Sequence, residues 1–256
     1  MFNIEDFDIR LDTDFIGRSF VYCEEINSTN SFLLNSSSLK ENGTVVLAEF
    51  QEKGRGRQDR AWLSNTGQNL TFSIMLNEKL KANRLNIINL GTSLTIAQSI
   101  ENLYQLRVNL KWPNDVLINN KKVAGILLES SSLGNKIEKL VIGIGINVNQ
   151  PSFQGKFPIL PTSIRKEFTE AVSRERLLSE FLNNFEEILE TCSKNPQKIL
   201  NDWKSKCEMI GEKIKVESDQ ISMYGIFEDL DSEGHLLLKV ENKIEKIHFG
   251  DVSLRQ

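Results

Sequence analysis

Val108-Asn109-Leu110-Lys111-Trp112-Pro113-Asn114-Asp115-Val116-Leu117-Ile118-Asn119-Asn120-Lys121-Lys122-Val123-Ala124-Gly125-Ile126-Leu127-Leu128 is the stretch that decides the fold. Residues 108–112 read as a strand that stops at Pro113, because proline has no N–H to give to a ladder. Residues 116–118 and 123–128 are apolar runs on either side of Asn119-Asn120-Lys121, a hairpin signal. Residues 140–148 then run almost continuously apolar, as a central strand covered on both faces does. A compact β region is therefore expected between residues 108 and 148.

Upstream, residues 70–76, 44–50 and 18–25 read as strands. Asn27 or Ser28 is expected to cap a helix before Phe32-Leu33-Leu34. Leu85, Ile88, Leu94, Ile96, Ile100 and Leu103 fall at helical spacing. Residues 51–68 form a long polar loop, a length that usually signals function. Downstream, Leu133-Gly134-Asn135 is a turn signal, and Pro151, Pro158 and Pro161 mark a loop. Leu177, Leu178, Phe181, Leu182, Phe185, Ile188 and Leu189 define an amphipathic helix. Asn195 before Pro196 starts another. After Cys207 the pattern changes to short strands and turns, which predicts a small β-barrel as a second domain.

The formal net charge of −4 rules out a global basic field for holding nucleic acid. The three cysteines, Cys23, Cys192 and Cys207, show no metal or redox spacing and read as packing residues of a reducing, cytoplasmic protein. No run approaches a membrane span, and the acidic N-terminus lacks signal-peptide order. The two histidines, His235 and His248, both lie near the C-terminus. A histidine triad or multi-histidine zinc site would need those two alone. Chemistry is left to Lys, Arg, Asp and backbone amides.

Four constellations could supply it. Gln51-Glu52-Lys53-Gly54-Arg55-Gly56-Arg57-Gln58-Asp59-Arg60 packs cations around two glycines. Glycine lets backbone amides approach an oxyanion, and arginine offers planar multidentate donors. A solvated basic loop or an RNA-binding patch has the same composition. In Lys111-Trp112-Pro113-Asn114-Asp115, a turn presents Asp115 to a ligand or to Mg-bound phosphates; an ordinary Pro-Asn-Asp turn looks alike. Lys122 precedes small residues at the mouth of a strand, where it caps a pocket or merely blunts an edge. Gly143-Ile144-Gly145-Ile146-Asn147 puts a polar residue in an apolar strand, and Asn147 needs a partner if buried. No Walker motif occurs, and Val148 stands where a dinucleotide fingerprint has its third glycine.

In this order, these pieces resemble the biotin–protein ligases. The likeness runs from Ser28-Thr29-Asn30 through the 54–57 loop, Lys111 to Asp115, Lys122 to Gly125 and Gly145 to Asn147, and ends at Gly250-Asp251-Val252-Ser253-Leu254-Arg255. It implies an α+β fold of the class II aminoacyl-tRNA synthetase/biotin ligase type. A mixed-sheet catalytic domain packed on helices (residues 1–206) would precede an SH3-like barrel (residues 207–256). It implies ATP, Mg²⁺ and biotin as reactants, biotinyl-5′-AMP as intermediate, and a lysine of a biotin carboxyl carrier protein as acceptor.

By the same resemblance, Ser28, Thr29, Asn30 and Gln51 hold biotin's ureido head, with Gly125 as a backbone contact. Gly54, Arg55, Gly56 and Arg57 cover the intermediate. Lys122 is the catalytic cation with Arg57. Trp62, Lys111, Asn114, Asp115, Asn147 and Arg255 serve the adenylate, Asp115 assisting Mg²⁺. Asp59 departs from the more basic, glycine-containing stretch common in relatives. Some relatives carry an N-terminal helix-turn-helix; 27 residues precede Ser28 here, so no DNA role is expected. A homodimer is left open. Rival readings are a lipoate–protein ligase of the same fold, a nucleic-acid-binding module and an inactive scaffold.

Overall fold

In the computed structural model, which describes residues 1–58, 60–77, 82–133, 136–217 and 222–254, the apolar runs pair into two sheets. The larger contains β1 (Phe20–Ile26), β2 (Thr44–Gln51), β3 (Leu70–Leu76), β4 (Asn109–Lys111), β5 (Asp115–Ile118), β6 (Lys121–Leu133) and β7 (Lys136–Ile146). Their order is β1-β2-β3-β7-β6-β5-β4. Among the described residues only the β1–β2 strand pair is parallel, so the sheet is mixed. β7 lies fourth of seven, the central place its continuous apolar run predicts.

The strand period of two separates the faces. Val45, Leu47, Phe72, Ile74, Ile142 and Ile144 point into the main core, whereas Val46, Met75 and Val141 pack with Leu33 in a small cluster on the other side. On the core face lie the helices α3 (Leu85–Tyr104), α5 (Arg174–Lys194) and α6 (Pro196–Ser205). On the other face lies α2 (Thr29–Asn35); α1 (Ile4–Asp8) and α4 (Ile164–Phe168) are short helices that the apolar spacing does not predict. α3 is buried nearly all round, including its hydroxyls. Thr92, Ser93, Thr95 and Ser99 return their protons to carbonyls one turn back, which removes the cost of burying them.

The N-terminal segment is tied in by a buried ion pair. Arg174 donates to both oxygens of Glu49, at 2.6 and 3.0 Å, and Glu49 also accepts from the Phe2 amide and the Tyr22 hydroxyl. Burial pushes the Glu49 carboxyl up, but these donors more than offset it and hold the group below its ordinary range.

The second sheet, β11-β10-β9-β8-β12, is antiparallel. Its strands are β8 (Lys213–Glu217), β9 (Ser222–Leu230), β10 (Leu236–Val240), β11 (Lys243–Ile247) and β12 (Asp251–Leu254). β11 and β12 lie at its two ends, so among the described residues the sheet is not a closed ladder. Its inward residues Ile214, Phe227 and Leu238 join the main core. Trp112 Nε1 donates to the Gly234 carbonyl at 3.1 Å across the junction. The expected turn at Gly134-Asn135 lies outside the described residues.

Candidate active site

The register of the large sheet lines up small side chains on the face away from the main core. Gly125 pairs with Gly145, which pairs with Thr71, and Thr71 with Ala48. In the next row Leu127, Gly143, Ser73 and Val46 are partners. A row of missing side chains across adjacent strands is a hollow. It forms the floor of a cavity of about 660 Å³.

Two close approaches explain the glycines. A Cβ on Gly143 would stand 2.2 Å from Asn30 Oδ1, and one on Gly145 would stand 2.2 Å from the Trp62 ring. Any other residue at these positions would push the Asn30 amide or the indole out of place.

One end of the cavity is polar and uncharged. Ser28 caps α2 by accepting from the Ser31 amide, which seats Thr29 and Asn30 in the first turn, all three buried. Gln51 Oε1 accepts from the Thr29 amide at 2.8 Å and from its hydroxyl at 3.0 Å. Ser73 Oγ lies 2.6 Å from Thr29 Oγ1 and 2.5 Å from Asn30 Oδ1, with one proton to serve both. Asn30 Nδ2 donates to Glu129 at 2.8 Å and to the Leu127 carbonyl at 3.2 Å. Both polar side-chain atoms of Asn30 are thus engaged within the protein.

The other end is cationic. Lys122 Nζ lies 2.6 Å from Asp115 Oδ1, and Lys111 Nζ lies 3.7 Å from Oδ2 of the same carboxylate. Lys111 does not line the cavity itself and reaches it through Asp115. Burial pushes the Lys111 ammonium below its ordinary range, against the pull of Asp115 and Asp251. Lys122 is held at the rim by its backbone: its amide donates to Leu160 and its carbonyl accepts from Thr162. Asn147 is buried and lines the same cavity.

Across this end runs the 54–57 loop. It folds back as a narrow excursion in which Gly56 N donates to the Arg60 carbonyl at 2.7 Å and Trp62 N to the Gly54 carbonyl at 2.9 Å. Gln58 takes a left-handed φ of 52°. Arg57 donates to Asn114 Oδ1 at 3.0 Å and to the Gly250 carbonyl at 3.1 Å, and lies 3.5 Å from Asp251. Burial lowers the Arg57 pKa, and Asp251 and Asp115 oppose it. Arg60 joins Asp251 at 2.5 Å. The second sheet therefore braces the loop.

These features coincide with a known family. Residues 22–147 match the Biotin/lipoate A/B protein ligase family, and residues 209–255 match the Biotin protein ligase C terminal domain. A biotin–[acetyl-CoA-carboxylase] ligase of Paracoccus denitrificans is 33% identical over 222 residues, which cover 83% of this chain and 91% of that one. The bifunctional ligase/repressor BirA of Bacillus spizizenii is 32% identical over 252 residues, 95% of this chain and 76% of that protein. The chain belongs to the biotin protein ligase family. The structure agrees. The biotin protein ligase of Aquifex aeolicus, solved in complex with biotin and ATP, superposes with a TM-score of 0.81 at 30% identity, covering 93% of this chain and 99% of that one.

Within this biotin protein ligase, the residues singled out in the sequence converge on one cavity. Ser28, Thr29, Asn30, Gln51, Gly54, Arg55, Gly56, Arg57, Trp62, Asn114, Asp115, Lys122, Gly125 and Asn147 all line it. Arg255 and Asp59 lie outside the described residues. Sequence reading missed Ser73, Glu129 and the brace formed by Asp251. A signal existed for the first two: a hydroxyl within Leu70–Leu76, and a carboxylate ending the apolar run of β6. Neither histidine lines the cavity. His235 instead joins Asp231 and Glu233 in a group with metal-ligand spacing in the turn between β9 and β10. There Lys246 Nζ, 2.6 Å from Asp231, already supplies the cation.

Proposed function

We propose that the chain activates biotin with ATP and transfers it to a lysine of a biotin carboxyl carrier domain. The observation that carries this reading is a single cavity whose neutral polar end and cationic end are continuous. A ureido ring needs hydrogen-bond partners without net charge. A carboxylate meeting a triphosphate needs cations, because two anions must come together.

In the first half-reaction a biotin carboxylate oxygen attacks the α-phosphorus. The bond to the β-phosphate oxygen breaks, and pyrophosphate leaves with the electron pair. In the second, the acceptor amine attacks the anhydride carbonyl. AMP departs, the amine loses its proton, and an amide remains.

In this proposal Lys122 faces the reacting carboxylate and α-phosphate. Ser28, Thr29 and Gln51 take the ureido head, Gly125 offers backbone, and Asn30 keeps the shape of the pocket. Gly54, Arg55, Gly56 and Arg57 cover the adenylate and exclude water from it. Trp62, Lys111, Asn114, Asn147 and Arg255 serve the nucleotide side. Mg²⁺ fits as an ion carried by the triphosphate, whose charge it would neutralise. Asp115 can offer it one carboxylate, though both oxygens already face lysines. The catalytic unit is taken as residues 1–206 and the C-terminal unit as residues 207–256.

Among the described residues, no helix is long and apolar enough to cross a membrane. Burial raises the Cys192 and Cys207 thiols to about 12 and about 11, so both stay protonated and inert. This is compatible with the cytoplasm proposed as the site of action.

Pyrophosphate exchange into ATP, measured with biotin and with lipoate, tests the reading. Biotin-dependent exchange is expected. Faster exchange with lipoate would overturn the choice of substrate, and exchange with neither would overturn the activity.

A further inference from the structure

Glu129 lies on β6 and does not itself line the cavity; it reaches the cavity through Asn30, which does. Its Oε2 accepts from Asn30 Nδ2 at 2.8 Å and from Arg55 Nη2 at 2.9 Å. One carboxylate oxygen therefore serves the floor and the covering loop together. Arg55 makes a second contact on the same side, donating to Ser31 Oγ at 3.0 Å.

The bonds continue inward without a break. Asn30 Oδ1 meets Ser73, Ser73 meets Thr29, and Thr29 donates twice to Gln51. A chain of polar contacts thus runs from the neutral end of the pocket to the loop, and Glu129 is its last member within the sheet. The Glu129 side chain is 24% exposed and that of Arg55 44%. An ion pair that open contributes little to global stability. Its geometry is specific nonetheless, because the guanidinium and the Asn30 amide share a single acceptor atom.

We propose that Glu129 is a positioning residue that couples the amide of Asn30 to the placement of Arg55, and through it the 54–57 loop. With the carboxylate present, the Asn30 amide is fixed with its Nδ2 toward β6 and its oxygen toward Ser73. Arg55 is drawn to the same point. With the carboxylate replaced by an amide, the acceptor loses its charge and Arg55 loses its counterion. This proposal deepens the reading of the cavity as the biotin site but does not need that reading for its first measurement.

The first measurement uses ligand-free protein. Trypsin cleavage after Arg57 and Arg60 reports how often the loop leaves its place. Glu129→Gln is expected to speed it roughly tenfold, the scale of one lost charge-assisted hydrogen bond. Arg55→Gln should do the same, and the double variant should be no faster than either single one, because the two act as a unit. In pyrophosphate exchange, Glu129→Gln should raise the KM for biotin by about the same factor and change kcat far less.

Glu129→Asp keeps the charge at shorter reach and should fall between parent and Glu129→Gln on both scales. It also serves if the glutamine variant does not fold. Cleavage and KM unchanged in a folded variant, or single effects that multiply in the double variant, would overturn the coupling. If the parent shows no biotin-dependent exchange, the substrate reading fails, while the ligand-free cleavage still decides the role of Glu129.

Discussion

Lys122 Nζ lies 2.6 Å from Asp115 Oδ1, at the end of the cavity where anions would have to meet. The carboxylate holds the ammonium at the rim, and Lys111 on its far side keeps the local balance positive. Replacing Lys122 with alanine should lower biotin-dependent pyrophosphate exchange by about a hundredfold or more, the usual effect of removing a charge from a developing transition state. A folded Lys122→Ala protein that exchanges at near-parental rate would show that the lysine is only a blunted sheet edge.

Arg57 spans Asn114, the Gly250 carbonyl and Asp251, so its loss removes three contacts of the loop and leaves it held by Arg55 on Glu129 and Arg60 on Asp251. Arg57→Gly is expected to release the acyl-adenylate before the acceptor arrives. The readout is biotin on lysines of an unrelated protein such as serum albumin. Unchanged selectivity for the carrier would argue against the loop as the guard of the intermediate.

Gly145 is a position where a single methyl group should disrupt the cavity. A Cβ there would stand 2.2 Å from Trp62, whose Nε1 is buried with no hydrogen-bond partner among the described residues. Gly145→Ala should displace the indole, shift tryptophan emission toward that of solvent-exposed rings, and weaken biotin binding roughly tenfold or more, as overpacking of a close contact does. Parental fluorescence and affinity would mean that the ring has room the structure does not show.

Glu49 makes a prediction about acid. Its folded carboxyl titrates below its ordinary range, so its contribution is complete above the unfolded value of about 4.3. That contribution disappears as the pH falls through the lower folded value. Glu49→Gln leaves Arg174 buried without its counterion and should cost about 3–5 kcal/mol in urea unfolding at neutral pH. The variant should also lose the acid limb of the parental stability curve between pH ~4 and the lower folded value. An unchanged limb would assign it to other carboxylates.

The strands were legible because their signals are local. Residues 108–148 carry proline, paired asparagines and unbroken apolar runs, and the structure places β4 to β7 there with shifts of a few residues at the ends. α1 and α4 were not legible, since five residues give less than two turns of periodicity. Most of the candidate site was legible through the resemblance, motif by motif. What sequence reading missed depends on register. Ser73 matters because it pairs with Gly143 and lies under Asn30, and Glu129 because it sits two residues beyond Leu127 on the same face. Asp251 matters because a second sheet folds back onto the loop. No spacing in the sequence announces such long-range meetings.

The two missing side chains on β7 have a consequence for how the protein discriminates. They lie in the middle strand of the large sheet, bonded on both flanks, where the backbone has least freedom to yield. The floor of the cavity is thus cast in a strand paired on both sides, and its covering is fastened across the cavity by side-chain contacts of Arg55 and Arg57. In the proposed reaction, fit would be judged against that mould, and commitment to reaction would be left to the loop above it. A wrong acid would be refused by shape before the roof has anything to close upon.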